Sequence, residues 1–307
     1  MSRKKWRSVV IVGLLAALTA ALLTAATATA APRSGPTITL GSKNFTEEYV
    51  LGELYKQALE AKGFTVNYKQ SIGATEIIDT ALTSGKIDVY PEYVGEIVQT
   101  VFHKTTGLPK TAKGWWQLAA TLNKPRGITV LNATPFFDVD AIAVRKADAT
   151  KYGLKSVADL KKVPSFTVGA RPEFKDREEG FKGMQSVYGL TNAKFVSIDQ
   201  GLTYQALDQK KVFSIDVFST DPQLASGKYT VLTDPKLVFG VQNVAPEVSN
   251  KLLAKLGSKA ALFKSTMNAV SAKLSQAAIL AMNSAVVNNK QTPKAVASKF
   301  LKANGLG

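Results

Sequence analysis

Thr37-Ile38-Thr39-Leu40-Gly41-Ser42-Lys43-Asn44-Phe45-Thr46-Glu47 is the stretch on which the fold turns. Thr37 to Leu40 alternates polar and apolar side chains, the period of a half-buried strand. Gly41 to Asn44 interrupts it as a loop. Asn44, with Glu47 three residues on, has the form of a helix N-cap supported by a capping box. Leu51, Leu54, Tyr55, Ala58 and Leu59 then recur at the spacing that lines one helical face, and Gly63 stops the run. Phe64 to Tyr68 reads as the next strand. Thr75 caps a helix that reaches Ser84 and ends at Gly85, and Ile87 to Tyr90 is a strand running into Pro91. Strand and helix in alternation give an α/β layer on a mainly parallel sheet.

The alternation resumes downstream. Residues 141–144, 166–169, 194–198 and 214–218 read as strands, and 157–161, 177–188 and 202–209 as the helices between them. From Pro246 onward the pattern is almost wholly helical, and Pro293 opens a last helix that closes near Asn304-Gly305. Two α/β units with a helical tail define two lobes and a cleft between them. Ligands of such sheets sit beyond the carboxyl ends of strands and at domain interfaces, so loops and helix starts are where chemistry is expected.

The N-terminus places the fold in the cell. Arg3, Lys4, Lys5 and Arg7 precede an apolar run from Val9 to about Ala26 and the small residues Ala28-Thr29-Ala30-Ala31, the three parts of a secretory leader over residues 1–31. An uncleaved anchor is the alternative reading, since the run approaches spanning length. The chain has no cysteine, which rules out a lipid-modified cysteine anchor and a disulfide framework. Net charge is +16, or +12 without the four basic residues of the leader. The lysines lie along amphipathic helices, as at Lys251, Lys255 and Lys259, with no Arg-rich block. That reads as a solvated basic surface rather than a nucleic-acid or polyanion site. An enzyme reading finds no support: His103 stands alone, no Gly-x-Ser-x-Gly elbow or His-Glu-x-x-His occurs, and the acidic residues show no metal-ligand spacing. No cofactor or metal is expected.

Four segments fall where the fold puts its ligands: Gly41 to Glu47, Asp88-Val89-Tyr90-Pro91-Glu92-Tyr93-Val94-Gly95, Gly201-Leu202-Thr203-Tyr204-Gln205-Ala206-Leu207, and Asp216-Val217-Phe218-Ser219-Thr220-Asp221. With Glu173-Phe174-Lys175-Asp176-Arg177, and in this order, they resemble the glycine betaine/carnitine/choline-binding proteins of ABC importers (the ProX/OpuAC type). The resemblance spans about Thr37 to Leu306. It implies the type II periplasmic-binding-protein fold with two crossings between lobes, near Phe137–Asp140 and Thr233–Val241. The expected organisation is a leader at 1–31, a linker at 32–36, lobe 1 at 37–138, lobe 2 at 139–235, and a return to lobe 1 at 236–307. It further implies a monomeric, extracytoplasmic receptor that gives a quaternary-ammonium solute to a membrane permease.

A quaternary ammonium has no N–H to donate, so aromatic faces hold it, at about 0.5–2 kcal/mol each. The resemblance puts Tyr93, Tyr204 and Phe218 in an aromatic box. Arg177 stands at the carboxylate-binding arginine, whose planar fork matches two oxygens, and Lys43 at a second contact to that carboxylate. Two positions depart from the family. Asp140 falls where an aromatic is common, and Glu96 where a small hydroxyl residue is usual. Both would favour a ligand with N–H or O–H donors or a net positive charge. Each residue has a plainer reading. Tyr90 could exchange roles with Tyr93, and Phe218 could be core. Arg177 could pair at the surface with Asp176, Glu178 or Glu179, and Lys43 could be an exposed loop lysine. Asp140 could be a hinge carboxylate, and Glu96 could serve a helix dipole. Trp115-Trp116, in a helical stretch, read as core more than cage.

Overall fold

The computed structural model describes residues 35–307; the expected leader and the start of the expected linker lie outside the described residues. The first half-domain runs β1 (Ile38–Gly41), α1 (Thr46–Ala61), β2 (Val66–Lys69), α2 (Thr75–Thr83), β3 (Val89–Tyr93), a π-helical turn at Glu96–Val101, α3 (Ala112–Asn123) and β4 (Ile128–Val130). The second holds β5 (Asp140–Arg145), α4 (Lys146–Tyr152), β6 (Phe166–Ala170), α5 (Phe181–Tyr188), β7 (Ala193–Ser197), α6 (Thr203–Asp208), β8 (Ser214–Phe218) and β9 (Tyr229–Leu232). The chain then returns as β10 (Val244–Ser249), α7 (Asn250–Leu256), α8 (Ala260–Lys273), α9 (Gln276–Val287) and α10 (Pro293–Ala303).

Two five-stranded sheets result, in the orders β2-β1-β3-β10-β4 and β7-β6-β8-β5-β9. In each sheet four strands run in one direction, and the strand that arrives from the other lobe, β10 or β5, is inserted antiparallel between two of them. The two passages between lobes are tied to each other: Phe137 bridges Asn243, and the Asp138 amide donates to the Gln242 carbonyl at 3.0 Å. Val238 and Phe239, beyond the expected end of lobe 2 at 235, pack in the second lobe's core.

Three local expectations are corrected. Asn44 is not the cap of α1; Phe45 occupies that position without a side-chain bond, and Glu47 and Glu48 in the first turn are buried. The helix read from Arg177 begins only at Phe181. Gly180 explains the delay: a Cβ there would lie 2.4 Å from the Phe174 carbonyl oxygen, so only glycine lets the loop fold back on itself. Pro246, read as the start of a helical tail, sits in the middle of β10, opposite Pro91 of β3. A proline cannot donate to a sheet ladder. On the other side of β10 the Leu131 amide donates to the Pro246 carbonyl at 2.8 Å, and the Leu131 carbonyl lacks the return bond. The Trp116 indole N–H supplies it, at 2.7 Å.

Candidate functional site

A cavity of about 260 Å³ lies between the two sheets. Six of the seven sequence-derived candidates line it: Lys43, Tyr93, Glu96, Asp140, Arg177 and Phe218. Tyr204 does not. It faces an adjoining cavity of about 200 Å³ behind Phe218, its ring 5.2 Å from that of Tyr229 and its hydroxyl donating to Asp221 at 2.9 Å. Asp221 in turn accepts from the Phe218 amide at 3.0 Å, so Tyr204 braces the strand end that carries Phe218. Tyr204 thus stands apart from Tyr93, in a cavity that shares Phe45 and Phe218 with the first. Tyr90 is fully buried in the first lobe and does not exchange places with Tyr93. Trp115 and Trp116 pack in the first lobe, away from both cavities.

The aromatic surface includes a residue sequence reasoning missed. Phe45, in the loop that ends β1, stands 4.9 Å from Phe218 and 6.2 Å from Tyr93, ring centroid to centroid. Phe45 and Tyr93 come from the first lobe and Phe218 from the second. Tyr93 is fixed by its hydroxyl, which donates to Glu47 at 2.8 Å. Glu47 also accepts from Thr220 at 2.7 Å and from Asn283 at 2.8 Å, so one buried carboxylate joins α1, α9 and the second lobe. Burial pushes its pKa up despite those donors.

Three cations surround the aromatics, and each has a carboxylate. Lys43 is buried, not an exposed loop residue. Its Nζ lies 2.5 Å from Glu92 and 4.3 Å from the Tyr93 ring centroid. Burial alone would lower its pKa, but Glu92, Glu96 and Glu48 outweigh it and raise it. Arg177 is buried too. Its Nε and Nη2 hold Glu76 at 3.1 and 3.0 Å, and its Nη1 holds Glu96 at 3.1 Å. Its partners are therefore in the first lobe, not its chain neighbours. Burial works to raise the Glu96 pKa, but Arg177, Lys43 and Arg171 pull it down to about 2.

Arg171, also missed, is the third. It follows β6 directly and grips Asp140 with both forks, at 2.8 Å each, while Asp216 accepts from Nη1. Its guanidinium lies 5.2 Å from the Phe218 ring centroid. Both oxygens of Asp140 thus face Arg171. The departure from an aromatic at that position comes with a compensating arginine. Two buried acids then share one cation, and burial with the charge of Asp140 pushes the Asp216 pKa well up.

A last cluster spans the lobes beside Arg177. The Thr100 hydroxyl lies 3.0 Å from Glu96 and also bonds Glu179 of the second lobe. A hydroxyl has one proton to give. Thr100 can therefore satisfy only one of the two carboxylates, Glu96 or Glu179, at a time. Burial, then the charge of Glu96, pushes the Glu179 pKa up to about 7.

An inter-lobe cavity walled by aromatics and buried ion pairs, on sheets crossed twice by the chain, is the build of a two-lobed solute receptor. The family model for the substrate-binding domain of ABC-type glycine betaine transport systems matches residues 36–303, and the chain belongs to that family. A glycine-betaine-binding protein of Pseudomonas aeruginosa is 30% identical over 282 residues, 88% of each chain. The ergothioneine transport permease/ergothioneine binding protein EgtU of Helicobacter pylori is 27% identical over 88% of this chain and 48% of its own length. A crystal structure described as a glycine betaine/carnitine/choline ABC transporter superposes with a TM-score of 0.68 at 22% identity, over 88% of this chain and 99% of that one. The fold is the type II periplasmic-binding-protein fold.

Proposed function

We propose that this chain captures a quaternary-ammonium solute of the glycine betaine, choline or carnitine type between its lobes and delivers it to a membrane permease. The observation that carries this reading is the trio Phe45, Tyr93 and Phe218, drawn from both lobes onto one cavity. Their π faces suit a methylated cation that cannot donate hydrogen bonds. Closure of the lobes completes the box, which makes capture and shape change one event. The leader at residues 1–31 fits an extracytoplasmic receptor, which acts as a monomer and releases its solute to a permease.

Within that class the cavity favours a cationic amine over a zwitterion. Glu96, Asp140, Glu173 and Asp199 line it against Lys43, Arg171 and Arg177, while burial pushes the pKa of Asp138, also in the lining, well up. All three cations already have protein carboxylates. A ligand carboxylate would have to displace one of them, whereas an ammonium, with or without N–H or O–H donors, would not. Titration calorimetry with choline, glycine betaine, carnitine and basic amino acids tests both levels. Choline or another cationic amine is expected to bind most tightly. Tight binding of glycine betaine alone sinks the preference for a cation, and no heat from any of them sinks the receptor reading.

A further inference from the structure

The positive charge of this protein is not spread over it. All 23 Asp and Glu side chains occur before residue 250, where residues 35–249 set 25 Lys and Arg against them. Residues 250–307 have nine lysines and no Asp or Glu. The first 215 described residues are thus near neutrality at +2, and the last 58 carry +9. Those 58 residues are α7 to α10 and their connections, which pack together on the first lobe through Leu252, Phe263, Met267, Ile279 and Leu301. Their apolar faces are spent on the core. All nine lysines, from Lys251 to Lys302, are exposed.

Sequence reading treats these lysines as a solvated surface, and an ordinary solvated surface intersperses both signs. Over four consecutive helices this segment supplies no acidic side chain of its own. One exposed apolar side chain, Leu262 at 44%, lies among the lysines, and Leu280 of α9 is half-buried. Long lysine stems with aliphatic residues between them suit a boundary between water and hydrocarbon, where the ammonium stays at the polar level. Among the described residues no single helix is long and apolar enough to cross a membrane, and α7–α8 meets α9 at a bend of 87°. The layer can lie on such a surface.

We propose that α7 to α10 form a docking face for an anionic phospholipid surface. The face complements the lipid charge. Each lysine near such a surface adds to the attraction, which falls off within a Debye length. Docking this way fixes which lobe lies against the membrane and leaves the second lobe, with its balanced charge, free to move.

The test is sedimentation of the full chain with vesicles of mixed phosphatidylglycerol and phosphatidylcholine, and with phosphatidylcholine alone. One variant combines Lys255→Gln, Lys264→Gln, Lys294→Gln and Lys299→Gln. A control makes the same change at Lys161, Lys194, Lys210 and Lys211, all exposed on the second lobe. The leader is common to all three proteins, so its contribution cancels, and an unchanged thermal midpoint shows that each is folded. The first variant is expected to lose about tenfold or more of its preference for anionic vesicles, the control less than about twofold, and salt to weaken the wild type. Equal losses in the two variants, or equal binding of wild type to both vesicles, overturn the proposal. Retention on heparin without retention on vesicles also overturns it and assigns the face to a soluble polyanion.

Discussion

Arg177 of the second lobe and Glu96 of the first are joined across the cleft at 3.1 Å, both side chains only 7% exposed. Neither could stay charged and buried alone. Removing one partner of a buried pair costs about 3–5 kcal/mol, because the other is stranded. Part of that is recovered by opening, which returns Glu96 to water. Arg177→Met is therefore expected to lower affinity for the solute by about 100-fold. Adding Glu96→Gln should restore part of the loss. Calorimetry on the two variants checks this, and scattering should show the single variant more open at saturating ligand.

Proton uptake should accompany closure. Glu179 has its pKa near 7 when Thr100 and Glu96 of the first lobe face it, with Arg177 on its own side. Opening exposes it and returns it toward the ordinary value of about 4.3. Below both values it is protonated in either form and has no effect. Between them closure takes up a proton, so affinity falls as pH rises, and above about 7 the penalty is constant. Affinity at pH ~5.5 should exceed that at pH ~8. Glu179→Gln should flatten this dependence and bind more tightly at the upper pH. A Glu179→Gln protein that keeps the wild-type pH profile would exclude this residue as the source.

The aromatic walls should separate from their braces. Phe45→Ala removes a π face between Tyr93 and Phe218 and is expected to reduce affinity for a quaternary ammonium by about 10- to 30-fold. Tyr204→Phe removes only the bond to Asp221, and affinity should change by less than about threefold. A loss with Tyr204→Ala as large as that with Phe45→Ala, and absent with Tyr204→Phe, would make the Tyr204 ring a wall of the cage.

Trp116 should matter for stability alone. Trp116→Phe leaves the Leu131 carbonyl without its donor and is expected to destabilise by about 1–3 kcal/mol, with solute affinity unchanged. Pro246→Ala in that background returns a strand N–H opposite Leu131 and should recover part of the loss. Denaturant titration of the single and double variants decides it.

How much of this was legible in the sequence follows from what each feature depends on. The strand–helix alternation of β1 to β3 and β6 to β8 is written in periods of two and about four, and was read. β10 was not, because Pro246 hides a strand whose missing N–H is replaced from α3, 130 residues earlier. Tyr93, Glu96 and Arg177 stand in recognisable loops after strands. Arg171 stands in such a loop as well, but its role rests on Asp140 and Asp216, which are 31 and 45 residues away and meet it only when β5 and β8 pair. Phe45 could have been found, since it sits inside the quoted loop; its reading as part of a helix start concealed it. The lysines of residues 250–307 are all visible in the sequence, but that every one of them stays exposed appears only once the helices pack.

The indole of Trp116, sealing the gap that Pro246 leaves, has one more consequence. It and Trp115 are the two tryptophans of the described chain, and both are built into the first lobe beside β4, with neither lining the cavity. Their emission will report on melting of that lobe and stay nearly silent when solute enters. A fluorescence titration without a response would thus say nothing about whether the receptor is loaded, and a tryptophan placed at Phe218 or Phe45 would be needed to make the cargo visible.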